Sequence, residues 1–157
     1  MQRPARYLAA ALLTALLVLP ACDTSPNGGI NDDLRDLAAE RRQTWEAQNI
    51  DDYVFVYERL CDECPDDEQG PFEVFVRSAV LDSAAVGGQP VAPGLQARLF
   101  TIDGLFEFIE ASFEAGPDRT SLLFDPDRGY PISIFFDFDA SRGGDEQIID
   151  VRRLTIL

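Results

Sequence analysis

The chain has 157 residues, 46% of them hydrophobic and 10% aromatic, with 13 Lys+Arg against 28 Asp+Glu and a net charge of -15. That charge balance repels phosphate backbones and excludes nucleic-acid binding, while the apolar and aromatic content excludes disorder. There is neither histidine nor lysine, which removes Ser-His and Cys-His catalysis, lysine Schiff bases, the P-loop and histidine metal sites.

Arg3 and Arg6 precede an uncharged run of 13 residues, Tyr7 to Leu19, against the roughly 20 that a membrane-spanning helix needs. A basic start, a short apolar middle and a small-residue end predict a secretory signal peptide over residues 1–21. Leu19-Pro20-Ala21-Cys22 resembles the lipobox of bacterial lipoproteins. The resemblance implies cleavage before Cys22, a diacylglycerol thioether on its sulfur and acylation of the new amine. The alternative is an ordinary signal peptide whose cut site abuts a cysteine. Two or more acyl chains anchor stably where one binds only marginally, so the expected address is the cell envelope, on a membrane face toward the periplasm or exterior. Asp23 resembles the inner-membrane retention signal of proteobacterial lipoproteins. Residues 22–31 read as the lipidated cysteine and a flexible tether, with a reach on the order of 15–18 Å. Loss of residues 1–21 leaves 11 positive against 28 negative side chains, a net charge of -17.

Residues 32–157 are enough for one core and too few for two. Asp32-Asp33 opens a helical pattern with Leu34, Leu37, Ala38 and Trp45 near one face, ending near Asn49. Tyr53 to Leu60 alternates as a strand, and Phe72 to Ala79 predicts a second that pairs with it as a hairpin, with Val80-Leu81 as an extension. Gly87-Gly88, Pro90 and Pro93-Gly94 mark a loop. Thr101 reads as the N-cap of a second helix, with Asp103 in its first turn and Gly116-Pro117 at its end. Three strands follow, at about Thr120 to Phe124, Tyr130 to Phe138 and Gln147 to Leu157. In the last the apolar period slips from Ile149 and Val151 to Leu154 and Ile156, which predicts a β-bulge near Arg152-Arg153. The expected fold class is α+β: an antiparallel sheet of about five strands with two helices packed on one face.

Several short patterns then coincide. Trp45 precedes Tyr53-x-Phe55-x-Tyr57, paired cysteines and Val74-x-Val76. Thr101-Ile102-Asp103-x-Leu105-Phe106-x-x-Ile109 and Phe124-Asp125-x-x-x-Gly129-Tyr130-Pro131 follow. Asp137 and Asp145-Glu146-x-x-Ile149-x-Val151-x-x-Leu154 complete the set. Together these resemble the small secreted bacterial proteins grouped as domain of unknown function 6174, over about residues 40–157. The resemblance implies a fold and a secreted address and leaves the activity open.

Cys61-Asp62-Glu63-Cys64 has redox-motif spacing, yet carboxylates within and after it raise thiol pKa and weaken a nucleophile. In an oxidising envelope a structural disulfide between Cys61 and Cys64 is expected, with redox activity and a metal site as alternatives. Residues 137–146 offer carboxylates in Asp137, Asp139, Asp145 and Glu146, with Asp125 and Asp127 in an earlier turn. Oxygen ligands beside Gly143-Gly144 suit calcium, but Arg142 and Ile148 break the EF-hand pattern, so a solvated hairpin loop is expected. The row Tyr53, Phe55, Tyr57 reads as a core face, or alternatively as the lining of a small-molecule cleft. No nucleotide or nucleophile motif is present, and the sequence implies no cofactor. The expectation is a non-catalytic, membrane-anchored envelope protein with a protein partner. A small-ligand or cation (Ca2+) module is the alternative, and a carboxylate enzyme stands third.

Overall fold

The computed structural model describes residues 28–61 and 64–157. Helix α1 (Gly28–Glu46) leads to β1 (Tyr53–Leu60), a single 3-10 turn (Asp66–Glu68), β2 (Phe72–Arg77), β3 (Val80–Val86) and β4 (Gln89–Pro90). The short α2 (Pro93–Gln96) and α3 (Ile102–Glu114) follow, then β5 (Arg119–Phe124), β6 (Pro131–Asp137) and β7 (Gln147–Ile156). The strands form one antiparallel sheet in the order β4-β3-β2-β1-β7-β6-β5. The class is α+β as expected. The sheet, however, has seven strands instead of about five, and there are three helices instead of two.

The extra strands come from two reversals. Val80-Leu81 does not extend β2 but begins β3, because the chain turns at Ser78-Ala79 with φ of 50° and 62°. Two successive positive-φ residues make the mirror-image hairpin turn usually marked by Asn-Gly. Here tertiary bonds hold it: the Ala79 amide donates to Asp51 O at 2.9 Å and the Ser78 amide to Asp52 Oδ1 at 2.8 Å. A second turn at Gly87-Gly88 joins β3 to β4, and Pro90 blunts that edge of the sheet. Helix α1 begins at Gly28, ahead of Asp32, so residues 28–31 of the expected tether are helical. Asn31 Nδ2 donates to Pro117 O at 3.1 Å and ties that first turn to the end of α3.

Other features match the sequence reading. Thr101 caps α3 by accepting from the Gly104 amide at 3.0 Å, a contact type worth about 1 kcal/mol. The bulge falls on β7: Val54 faces Thr155 and Val56 faces Arg152, and Arg153 has φ 53°.

The core lies between one face of the sheet and the helices. Tyr53, Phe55 and Tyr57 of β1, Val74 and Val76 of β2, Ile134 and Phe136 of β6, and Ile149 and Val151 of β7 are all buried there. Trp45 of α1 meets Tyr53 edge-on with ring centres 5.4 Å apart, and Phe113 of α3 meets Phe136 at 5.4 Å. The Tyr53 hydroxyl accepts from the Ile102 amide at 3.0 Å, giving a partner to a helix-start donor that has none inside the helix. Trp45 Nε1 donates to Asp103 Oδ1 at 3.2 Å, so one indole joins α1 to the first turn of α3.

Candidate functional site

Strand residues of the opposite parity form the other face of the sheet. Val54, Phe75, Phe135 and Ile148 point there, half-buried, with the buried Val56 among them, and all five lie outside the core cluster. Arg152 pairs with Glu58 and lies 3.7 Å from Asp150, so the middle of this face carries its own ion-pair network. Among the described residues no helix packs over it. A half-apolar sheet face without a covering layer is unusual, because antiparallel sheets that face water normally present polar side chains there.

At the end where β1, β6 and β7 meet the β6–β7 loop, this face deepens into a cleft of about 360 Å³. Leu60, Phe135 and Ile148 make its apolar floor, side by side in register across β1, β7 and β6. Arg119 and Asp137 form a wall, paired in register between β5 and β6, and Glu146 and Cys61 complete the lining. Asp137 is 2% exposed. Arg119 Nη1 stands 3.6 Å from Asp137 Oδ2, which is an ion pair but too long for a hydrogen bond. Asp137 Oδ1 is buried with no hydrogen-bond partner.

The loop carboxylates serve the loop itself. Asp139 Oδ1 accepts from the Ser141 hydroxyl at 2.6 Å and the Ser141 amide at 3.1 Å, which holds its carboxyl below the usual range. Glu146 Oε2 accepts from the Gly144 amide at 2.8 Å, with the same consequence. Asp145 Oδ1 is buried without a partner. Asp125 Oδ1 accepts from the amides of Asp127 and Arg128 at 3.1 and 2.7 Å, tying its turn in the same way. That turn joins β5 to β6 at the opposite end of the strands from the 137–146 loop, so the six acids form two separate groups. Among the described residues no three His, Cys, Asp or Glu side chains come together in a way that could hold a metal ion.

Cys61 and Cys64 stand at disulfide distance, with Cα atoms 5.3 Å apart. Their loop borders the cleft through Cys61. Cys22 lies outside the described residues, as do Asp62 and Glu63. Tyr53 and Phe55 are fully buried and Tyr57 is 1% exposed, so this row is core and lines no cleft. Burial pushes the Tyr57 phenol up to about 12, far from any proton-transfer role near neutrality. A second groove, of about 350 Å³, runs between α1 and α3 over Ala38, Phe106, Ile109 and Phe113. Its rim is closed by the pairs Arg35–Glu114, Arg42–Glu46 and Arg42–Glu110. It is the seam of two packed helices.

The turn Asp125 to Pro131 seats the sheet on the first helix. Gly129 has φ 81° and sits so close to α1 that an added Cβ would fall 2.5 Å from Arg41 O. Tyr130 behind it is buried against Trp45, with ring centres 6.2 Å apart. The motif is thus the joint between sheet and first helix, and a family sequence pattern that includes it matches residues 37–156. The chain belongs to DUF6174, a family of unknown function. No curated protein and no solved structure matches the chain. The family match spans all three helices and all seven strands except the first turns of α1, so the cleft and the bare face lie wholly within it.

Sequence reading missed Arg119, Leu60, Phe135 and Ile148. Each alternates out of phase with the core row of its strand. That phase was legible, but the pairing that gathers the four at one end of the sheet was not.

Proposed function

We propose that the chain is a lipid-anchored protein of the cell envelope whose folded domain binds a protein partner without catalysing a reaction. The anchor reading rests on the order of basic segment, apolar run, small residue and Cys22. The partner reading rests on the face of the sheet away from the helices, where Val54 and Phe75, paired in register and half-buried, lie outside the core cluster beside the buried Val56. Apolar side chains held side by side on rigid strands are the usual makings of an interface centre, and here the Arg152–Glu58–Asp150 network borders them. The net charge of -17 left after loss of residues 1–21 favours a basic partner and steers its approach.

Two experiments test the halves of this reading. Metabolic labelling with a fatty acid tags the wild-type protein and fails on Cys22→Ser; equal labelling of both removes the anchor. Phe75→Lys and Val54→Lys, at half-buried positions on the side of the sheet away from the core, leave the fold intact and abolish recovery of the partner from native membranes. Undiminished recovery would move the interface elsewhere.

A second reading, a small-ligand or cation module, draws on the acidic loop over residues 137–146. If calcium is the ligand, millimolar calcium raises the melting temperature and Asp139→Asn abolishes the rise, since a ligand that prefers the folded state must stabilise it.

A further inference from the structure

The cleft at the end of the bare face combines three features that a sheet surface does not ordinarily join. Its floor is hydrocarbon from Leu60, Phe135 and Ile148. Its wall holds a carboxylate, Asp137, that is 2% exposed and has one oxygen with no donor. Its charged lining is two carboxylates, Asp137 and Glu146, against one guanidinium, Arg119. A buried oxygen without a donor carries an unrelieved desolvation cost, and an N–H group entering the cleft would relieve it once the Asp137 carboxyl turns that oxygen outward.

We propose that this cleft receives an arginine side chain of the protein partner, its stem on Leu60, Phe135 and Ile148 and its guanidinium at Asp137 and Glu146. The inference rests on the partner-binding reading above. An arginine stem covers apolar surface while its head keeps polar company. The planar fork presents several donors in fixed directions, so one guanidinium can serve two carboxylates together. The Arg119 side chain is 63% exposed and holds Asp137 only at 3.6 Å. It also donates to Ala140 O at 3.5 Å, and the exchange turns it toward solvent while Asp137 trades a loose ion pair for direct hydrogen bonds. A metal ion fits this lining poorly, because hydrocarbon cannot coordinate it and calcium takes six or more oxygens. An anion meets a wall of net negative charge.

The test is an NMR titration of the lipid-free mature protein with acetyl-Gly-Arg-Gly amide, its citrulline counterpart and agmatine. Citrulline keeps the shape of arginine and removes its charge. The arginine peptide shifts the amides of Leu60, Phe135 and Ile148 saturably, and citrulline binds at least tenfold more weakly. Asp137→Asn weakens the arginine peptide at least tenfold. Should that variant fail to fold, Glu146→Gln at the lip of the cleft weakens it at least threefold. Equal binding of citrulline, shifts outside the cleft, or no saturable shift overturns the proposal. So does agmatine binding tighter than the peptide, which would assign the cleft to a free small cation. Partner capture at Phe75 that survives Asp137→Asn undiminished overturns the anchoring role and leaves the docking face standing.

Discussion

Replacing Gly129 by alanine separates two costs that the turn before β6 holds together. Gly129 has φ 81°, and a Cβ there would meet Arg41 O at 2.5 Å and Thr44 Cβ at 3.0 Å. A left-handed conformation costs an alanine about 1–2 kcal/mol. The contact adds a second penalty. Carbon rests comfortably at about 3.5 Å from its neighbours, so the turn must retreat from α1 by roughly 1 Å. That retreat strains Gln48 Nε2, which donates to Arg128 O at 2.7 Å and Thr44 O at 2.9 Å. Overpacking of this kind costs about 1–3 kcal/mol. The two together come to about 3 kcal/mol, or about 10 °C in melting temperature for a domain of this size. Two other glycines calibrate the sum. Gly116 has φ 74° with nothing within 4 Å of an added Cβ, so Gly116→Ala reports the conformational part alone, about 1 kcal/mol. Gly143 has neither a positive φ nor a neighbour, and Gly143→Ala is neutral or slightly stabilising. Urea unfolding of the three variants measures all of this. Equal losses for Gly129→Ala and Gly116→Ala would refute the seating of the turn on α1.

Tyr53→Phe leaves the buried Ile102 amide without its acceptor and costs about 1–3 kcal/mol in the same assay, with little change in core volume. Asp103 carries the opposite sign to the loop acids: burial raises its pKa above 3.8 despite the Trp45 hydrogen bond. The folded state therefore binds its proton more tightly, and stability falls as pH rises from about 3.8 through the raised value, a slope that Asp103→Asn removes from the pH–stability curve. Asp139 and Glu146 are held low, so their contribution is present above the ordinary carboxylate range and is lost as pH falls through their lowered values, visible in the Ser141 and Gly144 amide resonances. Replacing both Cys61 and Cys64 by serine costs about 2 kcal/mol by loop-closure entropy, read from thermal unfolding of oxidised wild type against the variant.

What the sequence disclosed depended on how local the signal was. β1 was found to the residue because aromatic and β-branched residues alternate within it. The Thr101 cap and the Arg152-Arg153 bulge were legible for the same reason: each is written in a few neighbouring residues. The β2–β3 turn was not, because Ser78-Ala79 carries no local preference for positive φ and is held by Asp51 and Asp52 from a distant segment. The early start of α1 likewise depends on Asn31 reaching Pro117 across 86 residues of sequence. Residues 137–146 were singled out for their acids, yet their relation to Leu60, Arg119 and Cys61 follows from strand order alone. A carboxylate such as Asp137 reads as a solvated loop end in sequence. Only its pairing with Arg119 across β5 and β6 makes it a buried wall.

The central claim, that the bare face of the sheet is the surface at which a partner docks, is tested most directly by photocrosslinking in native membranes. Benzoylphenylalanine is placed at Val54 or Phe75 on the bare face, and at Ala39 or Glu107 on exposed positions of the helices. The account predicts one protein, basic in composition and identified by mass spectrometry, joined at both bare-face positions and at neither helix position. Adducts from the helix positions alone, or equal yields from both faces, would contradict it.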